Sequence, residues 1–174
     1  MALRNVQISG TGQLVELSRR LNAAGGPRLK QNFARRIRRA GEPLKTDMQQ
    51  TIRNLPINAE PRKAGSRGGA SPTTRPLRAQ IAEAVRLSVR TSGNPGARVW
   101  IDRSMLPSDL KFMPEAMNKS NGRIRHPTFG NKGRGGWVNQ WTTPLWWEAT
   151  IRRHTPRMQA EVARVLEDVR RQIT

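Results

Sequence analysis

Apolar residues along the chain recur with two different periods, and the switch between them divides it into elements. Leu14, Leu17 and Leu21 stand three and four apart within 12–23, ahead of Gly25-Gly26-Pro27. That spacing predicts a short amphipathic helix with an explicit terminator. From about Arg28 to Arg53 a longer stripe follows, made of Leu29, Phe33, Ile37, Ala40, Leu44, Met48 and Ile52. Such a stripe can face a core while the arginines between its members face away. Gly41 and Pro43 interrupt it, and a kink is expected there, because proline removes a backbone donor and crowds the preceding turn.

Between Asn54 and Pro76 the pattern lapses. NLPINAEPRKAGSRGGASPTTRP is rich in proline and glycine and nearly without apolar residues after Ile57, so it reads as a loop or extended arm rather than a core element. Leu77, Ile81 and Val85 then give a short helical turn that passes into VRLSVRT, where Val85, Leu87 and Val89 alternate with Arg86, Ser88 and Arg90. Period two marks a half-buried strand. Past the break SGNPG, ARVWID puts Val99 and Ile101 on one face and Trp100 on the other, as the partner strand of a hairpin. Two strands alone are marginal, so more sheet, a packed helix or another subunit has to complete them.

PSDLKFMPEAMN, at 107–118, predicts a short helix interrupted by Pro114. For the last element Thr155 is the expected cap and Pro156 the first-turn residue, with Met158, Val162, Val165, Leu166, Val169 and Ile173 on one apolar face. Arg170 and Arg171 fall in its last turn, where cations suit the helix dipole. The order is helix, helix, arm, hairpin, aromatic loop, helix. This predicts a single α+β domain over 1–174, with N- and C-terminal amphipathic helices packed on a small antiparallel sheet.

Charge changes the picture most. With 32 Lys+Arg against 12 Asp+Glu the net charge is +20, which creates a potential that attracts polyanions or an acidic protein neighbour. In RRIRR, Arg35, Arg36, Arg38 and Arg39 spread over a wide arc around Ile37 and outnumber the acids Glu16, Glu42 and Asp47 of the first 54 residues. A solvated helix face and a phosphate-facing surface both fit that run. Arg62, Lys63 and Arg67 in the arm, and Lys132 and Arg134 in a later turn, are further candidates for facing DNA or an acidic partner. Cysteine is absent, which excludes disulfides, thiol catalysis and sulfur-ligated zinc. The N-terminus lacks a signal-peptide pattern and no apolar run spans a bilayer, so a soluble chain that does not meet a membrane is expected.

Candidate chemistry is sparse. His126 and His154 are far apart and match no metal-ligand spacing. They read as a turn residue before Pro127 and a polar residue at a helix entrance, and Glu148 reads as a salt-bridge partner of a nearby arginine. GNKGRGGW lacks the Lys-Ser/Thr ending of a phosphate loop and its strand-to-helix context. No catalytic residue, cofactor site or metal site is therefore predicted. What stands out is 126–148, a Gly/Trp-rich segment holding four of the five tryptophans: Trp137, Trp141, Trp146 and Trp147. WVNQW predicts a strand. Such rings can stack on exposed bases, but their area suits packing and subunit contact better, and the four tryptophans with Phe129 are the candidates for a subunit interface.

His126-Pro127-Thr128-Phe129-Gly130-Asn131, followed by Trp137-Val138, Gln140, Pro144, Trp146-Trp147 and a C-terminal amphipathic helix, resembles the neck and tail-completion family of long-tailed bacteriophages, whose members are also described as minor tail or head-tail connection proteins. The layout before the motif agrees loosely, and HPxFGN…WV is its specific part, with His126, Pro127, Gly130 and Asn131 as the family-motif turn. KGRGG looks like an insertion in that turn, and Thr74-Arg75-Pro76-Leu77-Arg78 stands where the family has Thr-Gly-x-Leu. The resemblance implies a non-enzymatic virion protein, assembled in the host cytoplasm, that forms an oligomeric ring, a hexamer, at the junction of head and tail. Its implied neighbours are other neck and tail-tube proteins, with non-specific contact to the double-stranded DNA passing through. The rival readings are a free-standing basic nucleic-acid-binding protein and, against the lack of a carboxylate cluster, a nuclease.

Overall fold

The long apolar stripe is a helix because of what it covers. In the computed structural model, which describes residues 6–9, 12, 15, 16, 19, 23, 27–59, 76–92, 95–127 and 137–173, helix α1 spans Pro27–Asn54. It buries Phe33, Ile37, Ala40, Leu44, Met48 and Ile52, the residues whose spacing predicted it. The helix runs on through Pro43. Gly41 marks a close approach instead. A Cβ there would stand 3.0 Å from a Leu87 methyl carbon and 3.8 Å from that of Ala97, so glycine lets the helix settle onto the sheet beneath it. Of the helix expected over 12–23, Gly12, Val15, Glu16, Arg19 and Ala23 are helical, whereas Leu14, Leu17 and Leu21 lie outside the described residues.

That sheet is built from the alternating segments. Helix α2 (Leu77–Glu83) leads into strand β3 (Val85–Arg90), which pairs antiparallel with β4 (Gly96–Ile101), Leu87 opposite Val99 and Val89 opposite Ala97. Val85, Ala97 and Val99 are buried on the face toward α1. The missing partner of the hairpin is β1 (Val6–Ser9), which pairs along β4 to give the order β1-β4-β3. No strand was expected there, since four residues of VQIS are too few for a period to declare itself.

A second three-stranded sheet has the order β2-β6-β5, from β2 (Ile57–Ala59), β5 (Arg123–Pro127) and β6 (Trp137–Thr142). Strand β6 lies where WVNQW placed it. Strand β2 corrects the reading of 54–76 as an arm from its first residue: Leu55 is buried, and Ile57–Ala59 pair with Gln140–Thr142. Residues 60–75 of that arm lie outside the described residues. His126 is likewise a strand residue opposite Val138, not a turn residue.

Between the sheets, a 3-10 turn at Arg103–Met105 is capped by Asp102, whose carboxylate accepts the Ser104 N–H at 3.1 Å. Helix α3 (Met113–Met117) follows. Pro114 sits in its first turn, so it begins this helix instead of interrupting it. The last helix, α4, spans Trp146–Ile173 and starts a good two turns before the expected cap at Thr155. Its cap is not local. Asn118, at the end of α3, accepts the Trp147 N–H through Oδ1 at 2.9 Å, while its Nδ2 donates to Glu148 Oε2 at 2.8 Å. Glu148 therefore serves the start of α4, where a carboxylate suits the dipole, and not an arginine. Pro156 lies inside the helix, and the hydroxyls of Thr150 and Thr155 donate to the carbonyls of Trp146 and Ile151 one turn back, each at 2.8 Å.

Met158, Val162, Val165 and Val169 of α4 are buried as their spacing predicted. The fold is α+β, with helices packed on small antiparallel sheets. One group of buried residues joins Leu44, Met48 and Ile52 to Val85, Val99, Ile124, Trp146 and Trp147; another joins Phe33 and Ile37 to Val162, Val165 and Val169. Helix α1 runs through both and packs against α4 and against strands β3 and β4 of the first sheet.

Candidate functional site

The four clustered tryptophans part company in the folded chain. Trp146 and Trp147 open α4 pointing inward, 2% and 1% exposed, with ring centroids 5.6 Å apart and planes at 86°. Both are core residues. Neither offers its ring to a neighbouring subunit, which corrects their expected interface role. Trp137 and Trp141, on β6, are 40% and 42% exposed.

Strand register explains the second pair. Trp141 lies opposite Arg123 of β5 and Asn58 of β2, Asn139 opposite Arg125, and Trp137 opposite Pro127. Opposed residues share a face, so two tryptophans and two arginines stand together on the outer side of the second sheet. The other side carries Ile124 and Thr142, both buried. The Arg125 guanidinium lies 4.9 Å from the Trp137 ring and that of Arg123 lies 6.0 Å from the Trp141 ring. Arg123 Nε also donates to Asn139 Oδ1 at 2.9 Å. Each cation–π contact is worth about 0.5–1 kcal/mol at an exposed site, a bias toward this arrangement that leaves part of each ring open to a partner. Strand rise sets the two rings ~13 Å apart.

No protein-family model, no curated protein and no solved structure matches this chain. The site therefore has to be read from its own chemistry.

A second exposed apolar set lies on the turn before α3, where Phe112 is 67% and Met105 44% exposed. Arg103 stacks over Phe112 at 5.8 Å and pairs with Glu115. Of the other expected interface and motif residues, Phe129, Gly130 and Asn131 lie outside the described residues, as do the basic candidates Lys132, Arg134, Arg62, Lys63 and Arg67. The backbone of His126 and Pro127 forms the end of β5.

The RRIRR group is divided too. Arg36 forms a salt bridge with Asp168 of α4, and its hydrogen bond holds the Asp168 carboxyl below its ordinary value of 3.8. It links α1 to α4 within the chain. Arg35 donates to Asn32 at 2.5 Å. Arg38 and Arg39 are exposed and have no ion-pair partner among the described residues. Further along the same helix pair, Asp47 Oδ2 accepts from Arg153 Nε at 3.1 Å, from an Arg153 terminal nitrogen at 2.7 Å, and lies 2.7 Å from His154 Nε2. His154 is thus a cross-helix link within α4 and not a helix-entrance residue.

The sequence pattern does not single out Arg123, Arg125, Arg153 or Arg157, and it offers Asp47 only as a counter-charge to the RRIRR group. For Arg123 and Arg125 a signal existed: RIRHP alternates with the same period as WVNQW. Among the described residues no group of three or more His, Asp or Glu side chains gathers as a metal shell, and no helix is long and apolar enough to cross a membrane. The outer face of the second sheet presents exposed indole rings and guanidinium groups, which can stack, donate hydrogen bonds and pair with anions.

Proposed function

We propose that this chain is a structural virion protein of a tailed phage that assembles as a hexameric ring at the head-tail junction, in the neck or at tail completion, with double-stranded DNA passing through. The outer face of the second sheet carries the reading. Exposed tryptophan beside arginine is the composition of an interface hot spot, and here both rings are held ready by the register of β5 and β6. A ring needs heterologous contacts, in which one surface of a copy meets a different surface of the next. The Trp137–Trp141 face and the Phe112–Met105 turn are two such surfaces. The HPTFGN…WV resemblance agrees, and a net charge of +20 suits a wall that DNA slides past without being read. The expected neighbours are other neck and tail-tube proteins.

The test is the mass of the purified protein by light scattering at low and high salt after nuclease treatment, followed by negative-stain imaging. Salt-stable rings free of nucleic acid are expected, and Trp137→Ala with Trp141→Ala should abolish them. Arg-flanked tryptophans can also stack on bases, which favours a free-standing nucleic-acid-binding protein as the second reading. Small oligomers that release nucleic acid as salt rises would establish it and sink the ring.

A further inference from the structure

We infer that the cleft between α1 and α4 is a phosphate-binding site. The cleft is open to solvent and takes Arg39, Thr46 and Asp47 from α1 and Arg153, His154 and Arg157 from α4. The Asp47–Arg153/His154 link crosses between its two walls, Arg36–Asp168 joins the same helices further along, and the buried packing of Phe33 and Ile37 against Val162, Val165 and Val169 belongs to the same helix pair.

Its charge is not balanced from within. Arg39 and Arg157 are exposed on facing helices and neither has an ion-pair partner among the described residues. Asp47, in the cleft wall, is already occupied: one of its oxygens accepts from two Arg153 nitrogens and lies against His154. This orients Arg153 while using only its Nε and one terminal nitrogen on the carboxylate, out of the five N–H donors of a guanidinium. Glu42, the other acid lining the cleft, is neutralised by Lys45 at 2.7 Å. Three guanidinium groups thus border one opening from two sides, with a hydroxyl at Thr46. A carboxylate is planar and satisfied by a single arginine fork, whereas a phosphate has oxygens directed to several sides and matches donors from two walls.

Such a phosphate comes either from a polynucleotide backbone or from a small soluble anion. The open cleft admits both. The inference stands apart from the ring: a chain that stays monomeric yet holds one phosphate per copy would refute the ring and keep the cleft.

The full-length protein is titrated by calorimetry with inorganic pyrophosphate and, separately, with a short DNA duplex over a range of salt. The variants are Arg39→Gln/Arg157→Gln, Glu42→Gln and a control, Arg53→Gln/Arg90→Gln, whose exposed arginines do not line the cleft. The expected result for pyrophosphate is one saturable site per chain that disappears in the Arg39/Arg157 variant, tightens in Glu42→Gln and persists in the control. Saturation by pyrophosphate with no cleft effect on duplex binding identifies a small anion as the ligand. If the duplex is the ligand, the slope of log K against log salt becomes shallower by about two in the Arg39/Arg157 variant, from ~0.9 per lost phosphate contact. The control variant should then show no such change. Equal loss in the cleft and control variants for both probes would mean diffuse charge attraction and would overturn the site.

Discussion

Trp146–Trp147 and Trp137–Trp141 are neighbours in sequence with opposite fates, and the cause is the period of the element each pair sits on. Strand β6 alternates, so positions 137, 139 and 141 face outward together while Thr142 faces the core. The adjacent pair opens helix α4, and both rings belong to a buried cluster that includes residues of α1, β3, β4 and β5. Residue type is the same in all four. Tryptophan content alone therefore says nothing about where a contact surface lies; the backbone period under each ring decides it.

The largest contrast is thermodynamic. Trp147→Ala should lose about 3–5 kcal/mol of stability, the cost of a cavity left by a fully buried aromatic, read as a fall in the urea midpoint. Trp137→Ala removes a ring that is 40% exposed with one cation–π contact, and should cost about 1 kcal/mol or less. A Trp147→Ala protein as stable as the Trp137→Ala protein would erase the distinction between the pairs.

Gly122→Ala tests what keeps the two pairs apart. Gly122 precedes β5 with φ of +63°, and a Cβ there would lie 2.3 Å from the Thr142 carbonyl oxygen at the end of β6. The Thr142 N–H also donates to the Gly122 carbonyl at 2.8 Å. Backbone strain of this kind costs roughly 1–3 kcal/mol, and contact with a carbonyl leaves little room to relax. The expected outcome is a lowered melting temperature, with the exposed tryptophans of β6 showing altered fluorescence because their strand is displaced. A variant with wild-type melting would mean that the turn tolerates an L side chain.

The third effect is smaller in stability and larger in assembly. The double change Trp137→Ala/Trp141→Ala should shift unfolding by about 1–2 kcal/mol at most while removing self-association in sedimentation velocity. Trp146→Phe should leave association intact, because that ring faces inward. If the buried variant lost assembly and the exposed one kept it, the surface assignment would be reversed.

How much of this was legible in the sequence follows from range. The core stripe of α1 and the alternation of β3, β4 and β6 are local patterns, and Phe33, Ile37, Leu44, Val85 and Val99 lie where their periods put them. The start of α4 was not legible, because its cap is Asn118, far away in the chain, while Thr155-Pro156 imitates a local start. Strands β1 and β2 were missed because a period cannot establish itself over the four residues Val6–Ser9 or the three residues Ile57–Ala59. The outward sheet face was half legible: WVNQW announced its strand, but that Arg123 lies across from Trp141 is a fact of register. The α1–α4 cleft was closed to sequence reading, since no local pattern brings Asp47 to Arg153.

Trp146→Phe isolates the smallest effect. The Trp146 indole N–H is buried and has no hydrogen-bond partner among the described residues, although a buried donor left unpaired costs about 1–3 kcal/mol. Phenylalanine removes that donor, preserves an aromatic edge for the ring of Trp147 and leaves a small void whose cost is about 1 kcal/mol. The two terms oppose each other. The variant should therefore unfold within about 1 kcal/mol of the wild type, whereas Trp146→Ala, which keeps neither ring nor volume, should fall by about 3–5 kcal/mol. If phenylalanine proved as damaging as alanine, the indole nitrogen would have to be bonded, and Trp146 would be held by a specific polar contact and not by volume and ring packing.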